Sequence, residues 1–219
     1  MLGIAISKHE NKTGGNPTVY VFIYYTETKS KDGEDLSGGI PLGNRLYRYE
    51  LVDNKLINPK LLLDLPVERT NKGGGEHQGG VLLIGPDNNL YLAIGDVNQY
   101  SQTQNMADGR KPNGTGGILR ITQDGKPIGN GILGDTFPLN LYYAYGIRNS
   151  FGMDFDPVTG NLWDTENGPD CCDEINLVNP GFNSGWVIVQ GSNDINQTKR
   201  YTQVGIFNET SEKEKLVTF

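Results

Sequence analysis

One histidine stands in a setting that suits acid–base chemistry. His77 follows Glu76 and precedes Gln78 and two glycines, and three more glycines come just before Glu76. Glycines on both sides indicate a tight or closely approached backbone. Because a histidine changes its charge near neutral pH, a histidine beside a carboxylate is a candidate general base. Glu76 or Asp96 could orient it or contact a substrate hydroxyl. The alternatives are a structural role for His77 and a simple turn role for Asp96, which follows Gly95.

A fixed cation and an amide stand together at the end of a predicted strand. Arg148 and Asn149 follow Gly146 and Ile147. A guanidinium presents a fork of donors that suits carboxylates, so this pair is a candidate holder of a polycarboxylate ligand. A structural ion pair is the alternative.

The segment 166–176 concentrates acids around a Gly-Pro turn. It has four carboxylates within nine residues, and the turn exposes backbone carbonyls. Calcium binds six to eight oxygen ligands of these kinds, although the spacing is not that of an EF-hand loop. An acidic solvated turn is the alternative. The segment also contains the only two cysteines, Cys171 and Cys172, which are adjacent. We expect two free thiols, because a bond between neighbours needs a strained ring.

The elements that must position these residues are strands. Short clusters of aromatic and β-branched residues predict an all-β fold, since no window shows a 3.6-residue apolar period of helical length. The predicted strands are 18–25, 44–51, 60–65, 80–85, 89–95, 117–122, 141–146, 152–156, 161–164, 175–178 and 185–189. The chain also reads as though it begins inside a strand. A long polar loop is expected over 96–114, and such loops are often functional.

A short sequence motif that recurs three times, here called the echo, limits the number of all-β folds that fit the chain. A turn residue precedes a Leu-aromatic pair at 44–47, at 88–91 and at 160–163. Short strands that recur about every ten residues are typical of a sandwich, a barrel or a propeller. The spacing of the echoes is near that of a propeller blade, so we favour a propeller.

Charge and composition exclude two classes of function. The formal net charge is −7 and no run of Lys or Arg occurs, which argues against a nucleic-acid-binding protein. No apolar run is long enough to span a membrane. The glycine clusters follow neither the Rossmann nor the phosphate-loop spacing, which argues against a nicotinamide enzyme. No signal peptide is visible at the start of the chain.

In this order and spacing, the segments resemble the glucose/sorbosone dehydrogenase family. The match runs from Leu2 to about Gly191. The matching segments are LGIA at 2–5, NRLYRY at 44–49, HQGG at 77–80, GPD at 85–87 with LY at 90–91 and GD at 95–96, GGILRI at 116–121, YGIRN at 145–149 with Gly152, ENGP at 166–169 with DEIN at 173–176, and GFNSGW at 181–186.

The resemblance implies a fold and a reaction. The family fold is a six-bladed β-propeller of four-stranded blades, of which residues 1–219, as one partial domain, would cover roughly four. The implied activity is oxidation of aldose sugars at the anomeric carbon to lactones, with pyrroloquinoline quinone and calcium as cofactors and a further electron acceptor. A periplasmic or extracellular location is also implied. The alternative is a non-catalytic propeller that serves as a binding module.

Carried over residue by residue, the resemblance implies roles for the candidates. His77 matches the general base and Asp96 the acid that supports it, while Glu76 falls where some members have a substrate-contacting acid. Arg148 and Asn149 match residues that hold the quinone. The expected calcium ligands are the carbonyls of Gly168 and Pro169, with Glu174, Ser184 and Asp194 at positions where members with further calcium have ligands.

Several departures from the family pattern bear on this interpretation. Val81 replaces a usual Arg, Gly117 replaces a usual Lys, and the adjacent cysteines are unusual. The family's further quinone-binding Lys and Arg residues lie beyond the matched segments. Because missing blades leave unpaired edges and apolar faces, we expect the isolated chain to aggregate or to form a homodimer.

Overall fold

The computed structural model describes residues 2–9, 17–29, 40–67, 76–98, 105, 112–169, 172–186 and 215–218. These residues form twelve β-strands and one short 3-10 turn, so the predicted all-β class is confirmed. The strands make three four-stranded sheets, each with its strands in sequence order. Every strand pair within these sheets is antiparallel.

The strand bounds follow the predicted pattern closely. The first sheet contains β1 (Gly3–His9), β2 (Thr18–Thr28), β3 (Pro41–Val52) and β4 (Lys55–Leu65). The second sheet contains β5 (Leu82–Ile84), β6 (Leu90–Ile94), β7 (Gly117–Ile121) and β8 (Tyr142–Tyr145), with the 3-10 turn Leu139–Leu141 before β8. The third sheet contains β9 (Ser150–Phe155), β10 (Leu162–Glu166), β11 (Glu174–Val178) and β12 (Lys215–Thr218).

Two apolar layers hold the three sheets together. One layer joins the first and second sheets, and the other joins the second and third. The leucines of the sequence echo lie in them: Leu46 and Leu90 belong to the first layer and Leu162 to the second. All three are almost fully buried. Burial of such side chains contributes about 1.5–3 kcal/mol each, so the echo marks positions where the sheets pack on one another.

One face of the first sheet is apolar and exposed. On β1 the side chains alternate, with Ala5 and Ser7 buried towards the second sheet and Ile4 and Ile6 exposed on the opposite face. Leu61 of β4 is exposed as well. Because strand side chains alternate between faces, this pattern defines an apolar surface on which no described residue packs.

Two fold predictions are not matched by the described residues. Roughly four blades were expected, whereas the described residues form three four-stranded sheets. A strand was predicted over 185–189, but its two described residues, Gly185 and Trp186, lie outside any strand. Most of the predicted loop 96–114 lies outside the described residues. In the part of the chain that the structure describes, no helix is long and apolar enough to cross a membrane.

Candidate functional site

His77 is held in an unusual backbone conformation between the first and second sheets. Its φ is 53°, in the left-handed region that a residue with a side chain rarely adopts. The next residue anchors it: the Gln78 side chain accepts from Asn44 Nδ2 at 2.5 Å, and its carbonyl accepts from the Tyr24 hydroxyl at 3.0 Å. A strained residue persists only where its surroundings over-determine it, and such residues cluster at functional sites.

Asp96 is the partner of His77. It follows β6, is 1% exposed, and places Oδ1 2.6 Å from His77 Nδ1. The backbone N–H of Asn98 donates to the same oxygen at 3.0 Å. Because a carboxylate only accepts hydrogen bonds, a neutral His77 bonded to an ionised Asp96 carries its proton on Nδ1 and has Nε2 as an acceptor. This is the arrangement that a general base requires.

Glu76, the other predicted neighbour of His77, is exposed, unlike the buried Asp96. The backbone carbonyl of Glu76 accepts a hydrogen bond from Gln78 Nε2 at 2.7 Å. The choice that the sequence left open for the partner of His77 is therefore settled in favour of Asp96.

Arg148 and Asn149 follow β8 and reach the same region. The backbone N–H of Arg148 donates to Glu166 Oε1 at 2.6 Å, and Nη1 donates to the Asn167 carbonyl at 3.3 Å. Arg148 Nε is buried without a hydrogen-bond partner. Asn149 Oδ1 accepts from the Gly79 N–H at 3.3 Å, which ties this segment to the one that carries His77. Arg148 is thus a buried cation with a donor left unused.

The segments that carry His77 and Asp96 lie against the segment that carries Arg148 and Asn149, and they meet at Gly95. The Asp96 N–H donates to the Arg148 carbonyl at 2.8 Å. A Cβ placed on Gly95 would meet the His77 carbonyl, the Arg148 carbonyl at 2.7 Å and Asn149 Oδ1 at 2.8 Å. Real Cβ atoms do not approach other atoms this closely. A glycine at this position is therefore what allows the proton acceptor and the cation to lie side by side.

Three carboxylates are buried on one face of the third sheet. Glu166 pairs with Glu174 across β10 and β11, and Asp164 pairs with Asn176. Glu166, Glu174 and Asp164 are 6%, 6% and 0% exposed. The alternative of an acidic solvated turn is therefore wrong for Glu166 and Glu174. Asp173, whose Oδ1 accepts from the Gly168 N–H at 2.9 Å, is exposed in the manner of a turn acid, and the segment's fourth acid, Asp170, lies outside the described residues.

Burial raises the pKa of two of these acids, Asp164 and Glu166. Loss of solvation raises the pKa of Asp164 to about 7; the Ser150 hydroxyl opposes this shift and the charge of Glu174 adds to it. Loss of solvation, followed by the charges of Glu174 and Asp164, also raises the pKa of Glu166. Both oxygens of Asp164 and Oδ1 of Asn176 have no hydrogen-bond partner. This face of the sheet therefore holds buried oxygen atoms without a hydrogen-bond donor.

The residues predicted to bind calcium lie around a small recess. Its lining combines Gly168, Pro169 and Glu174 with the buried Arg148 and Trp186, and its volume is about 190 Å³. Ser184 lies nearby, where its hydroxyl donates to Glu166 Oε2 at 2.5 Å and to Glu174 Oε2 at 3.3 Å. Asp194 lies outside the described residues. Among the described residues, no three His, Cys, Asp or Glu side chains are arranged around one metal ion.

The cysteine prediction was wrong. Cys172 lines the same recess and is disulfide-bonded rather than free. The chain has one other cysteine, Cys171, which lies outside the described residues.

Two contacts of the candidate residues could not be predicted from the sequence. Trp186 donates from Nε1 to Asp96 Oδ2 at 2.9 Å, and Glu166 accepts from the Arg148 backbone. Both belong to segments that matched the family, GFNSGW and ENGP. Their positions were visible, but nothing local in the sequence shows that they reach the segments carrying Asp96 and Arg148.

Known proteins of one family share this sequence pattern over nearly its whole length. The family model described as Glucose / Sorbosone dehydrogenase matches residues 1–215. The chain belongs to the glucose/sorbosone dehydrogenase family. The quinoprotein glucose dehydrogenase B of Acinetobacter calcoaceticus is 33% identical over 199 residues, which is 82% of this chain and 38% of that protein. An aldose sugar dehydrogenase of Escherichia coli is 34% identical over 113 residues, 51% of this chain and 29% of that protein.

Solved structures of relatives show the same arrangement of sheets. A putative oxidoreductase (glucose dehydrogenase) from Thermus thermophilus superposes with a TM-score of 0.64 at 29% identity, covering 91% of this chain and 51% of that one. The aldose sugar dehydrogenase of Streptomyces coelicolor in its PQQ-bound form superposes with a TM-score of 0.60 at 27% identity, covering 80% of this chain and 45% of that one. The chain thus spans about half the length of these structures and less of its curated relatives.

Proposed function

We propose that this chain carries the proton-accepting side of a sugar dehydrogenase that uses pyrroloquinoline quinone and calcium. The observation that carries the proposal is the His77–Asp96 pair, with 2.6 Å between Nδ1 and Oδ1, beside the buried guanidinium of Arg148. Membership of the family supports it, since the relatives include a quinoprotein glucose dehydrogenase and a PQQ-bound aldose sugar dehydrogenase.

The residues around the recess suit a polycarboxylate quinone in part. Arg148 offers a buried cation whose Nε has no partner, which is the group that an anionic ligand would need. Asn149 lies beside it and offers an amide. The recess is shallow and open to solvent, and its empty volume of about 190 Å³ includes part of that solvent. The described residues would therefore form one wall of the quinone site, with Arg148 and Asn149 as its anion-holding part.

The oxygen atoms around the recess support the proposal that the site binds calcium. Gly168 and Pro169 offer backbone carbonyls at the recess, and Glu174 with the Ser184 carbonyl would serve a further ion. The surplus of buried carboxylate oxygen on the neighbouring face is compatible with a hard cation. Asp194 stays a prediction, because it lies outside the described residues.

The reaction would divide between the cofactor and the protein. When bound, the quinone supplies an acceptor for the hydride that leaves the anomeric carbon of an aldose. His77 Nε2 would take the proton of the anomeric hydroxyl, since Asp96 holds the other ring nitrogen as a donor. Asp96 would stabilise the resulting imidazolium, and Glu76, being exposed beside it, would contact another sugar hydroxyl. The product would be a lactone, and the reduced site would pass its electrons to an external acceptor.

The test is a titration of the full-length gene product with pyrroloquinoline quinone and calcium, followed by aldose-dependent dye reduction. His77→Gln should leave quinone binding intact and lower kcat by about a hundredfold or more, because it removes a general base. His9→Gln is the matched control, since His9 is the chain's other histidine and bonds Gln123 at 2.6 Å at the rim of the first apolar layer. Full-length protein that binds no quinone with calcium in excess would contradict the proposal and favour the binding module.

The family also supports expectations about cellular context. We propose a periplasmic or extracellular location, a small sugar as substrate, and a separate electron acceptor. Localisation of the tagged full-length protein by cell fractionation tests the first of these.

A further inference from the structure

Trp186 is anchored by its backbone at the junction of the second and third sheets. Its N–H donates to the Gly146 carbonyl at 2.9 Å, and its carbonyl accepts from Asn105 Nδ2 at 2.9 Å. The side chain is almost fully buried, with 3% of the residue exposed. A side chain fixed in this way has a defined direction, and its one polar atom must find a partner.

That partner is the carboxylate that supports His77. Trp186 Nε1 donates to Asp96 Oδ2 at 2.9 Å, while Oδ1 faces His77 Nδ1 at 2.6 Å. A carboxylate held at both oxygens cannot rotate about its terminal torsion without losing a bond in a buried place. Such a loss is unfavourable, because it leaves a buried polar atom without a partner. The indole therefore fixes which oxygen faces His77.

The face of the same indole contacts the cation. The guanidinium carbon of Arg148 lies 5.3 Å from the centre of the Trp186 ring, which is within the range of a cation–π contact. One side chain thus touches both the acid behind the proton acceptor and the cation of the recess.

We propose that Trp186 is a positioning residue that keeps His77 in the Nδ1–H tautomer by fixing Asp96. The inference rests on the proposed function for its consequence in turnover, but the tautomer itself does not require any reaction. Without the Nε1–H donor, Asp96 Oδ2 is left buried and unpaired, and the carboxylate turns towards whatever donor remains. His77 then loses the bond that selects its tautomer.

The tautomer can be read directly by nitrogen NMR of the full-length gene product labelled with ¹⁵N-histidine. The signals that disappear in His77→Gln are those of His77. In the wild type we expect distinct protonated and unprotonated ring nitrogens for His77. Trp186→Phe, which keeps an aromatic ring but removes the N–H, should give averaged signals from a mixture of tautomers. Trp163→Phe is the matched control, since Trp163 is the other tryptophan and lies on β10.

A second variant guards against loss of folding. Replacement of Trp186 by benzothienylalanine keeps the bicyclic shape and removes only the N–H donor, and it should give the same averaged signals. If either folded variant keeps the single Nδ1–H tautomer, the positioning role is wrong and Trp186 only fills space.

Turnover of the full-length protein separates this inference from the proposed function. With the tautomer lost, we expect kcat for an aldose to fall about tenfold or more with the affinity for quinone little changed, since general base catalysis contributes about a hundredfold or more. If Trp186→Phe alters the tautomer but the wild-type full-length protein oxidises no sugar, the positioning role is supported and the proposed dehydrogenase function is wrong. If the wild-type protein oxidises sugars but Trp186→Phe leaves the tautomer unaltered, the dehydrogenase function is supported and the positioning role is wrong.

Discussion

Asp164 offers a test of the buried carboxylate face that requires no ligand. Its raised pKa means that the folded chain binds a proton more tightly than the unfolded chain does, because burial disfavours the carboxylate. Below the unfolded pKa of 3.8 both states are protonated and nothing is lost. As pH rises from there to about 7, the folded state holds a proton that the unfolded state has released, and the free energy of unfolding falls.

The size of the effect follows from the shift. About three pH units at about 1.4 kcal/mol each give a loss of about 4 kcal/mol, which is an upper value because water or a cation near the carboxylate reduces it. Asp164→Asn removes the titrating group and keeps the shape. We expect its stability to exceed that of the wild type by about 2 kcal/mol at pH 5, where part of the loss has already occurred, and by about 4 kcal/mol at pH 8.

The measurement is urea unfolding between pH 5 and pH 8.5, with EDTA present so that calcium does not occupy the neighbouring carboxylates. Asp154→Asn, which alters an exposed aspartate of β9, is the control and should keep the slope of the wild type. If Asp164→Asn loses stability with pH as steeply as the wild type, Asp164 is not the group that titrates, and the reasoning from its burial is refuted.

Three further predictions address Gly95, the cation and the exposed face. Gly95→Ala should destabilise the chain by about 3 kcal/mol in thermal or urea unfolding, because its Cβ meets two backbone carbonyls; Gly160→Ala, whose Cβ meets nothing within 4 Å, should cost only about 1–2 kcal/mol from its positive φ. Arg148→Lys should weaken quinone binding by the full-length protein about tenfold or more in a fluorescence titration, whereas Arg45→Lys in a surface ion pair should not. The chain alone should self-associate in sedimentation velocity, and Ile6→Lys should raise its monomer fraction while Val158→Lys, on an exposed turn, leaves it unchanged; equal effects would show that the apolar face is not the contact.

Much of the fold could be read from local patterns, and the exceptions have physical reasons. The strand at β2 is rich in β-branched and aromatic residues, and the Leu-aromatic pairs mark buried positions in all three sheets. The short run predicted at 60–65 is the end of a longer strand, Lys55–Leu65, whose exposed first half contains Asn58 and Pro59, residues that are depleted in strands. The number of sheets depends on which strands pair, and pairing between distant segments leaves no local pattern.

In the candidate site too, local sequence identified some of the residues, whereas their contacts depend on pairing between distant segments. His77 could be singled out from its neighbours in sequence, but the choice of Asp96 over Glu76 required the pairing between separate segments. The acids at 166 and 174 were visible as a cluster, yet their burial depends on the register that places Glu166 opposite Glu174. Trp186 lies 90 residues beyond Asp96, so their contact follows only from the packing of the third sheet on the second.

His77 with Asp96 and the cation Arg148 are not independent parts of this site, because the backbone contacts at Gly95 position both. The Asp96 N–H binds the Arg148 carbonyl, the Gly79 N–H binds Asn149 Oδ1, and Gly95 lies between them with no room for a Cβ. A side chain at Gly95 must therefore displace Asp96 and Arg148 together. In the full-length protein this coupling predicts that Gly95→Ala lowers both kcat and quinone affinity, whereas His77→Gln lowers kcat alone. A Gly95→Ala enzyme with normal quinone affinity and impaired turnover would show that Asp96 and Arg148 move separately, and that the contacts at Gly95 do not set the position of Arg148.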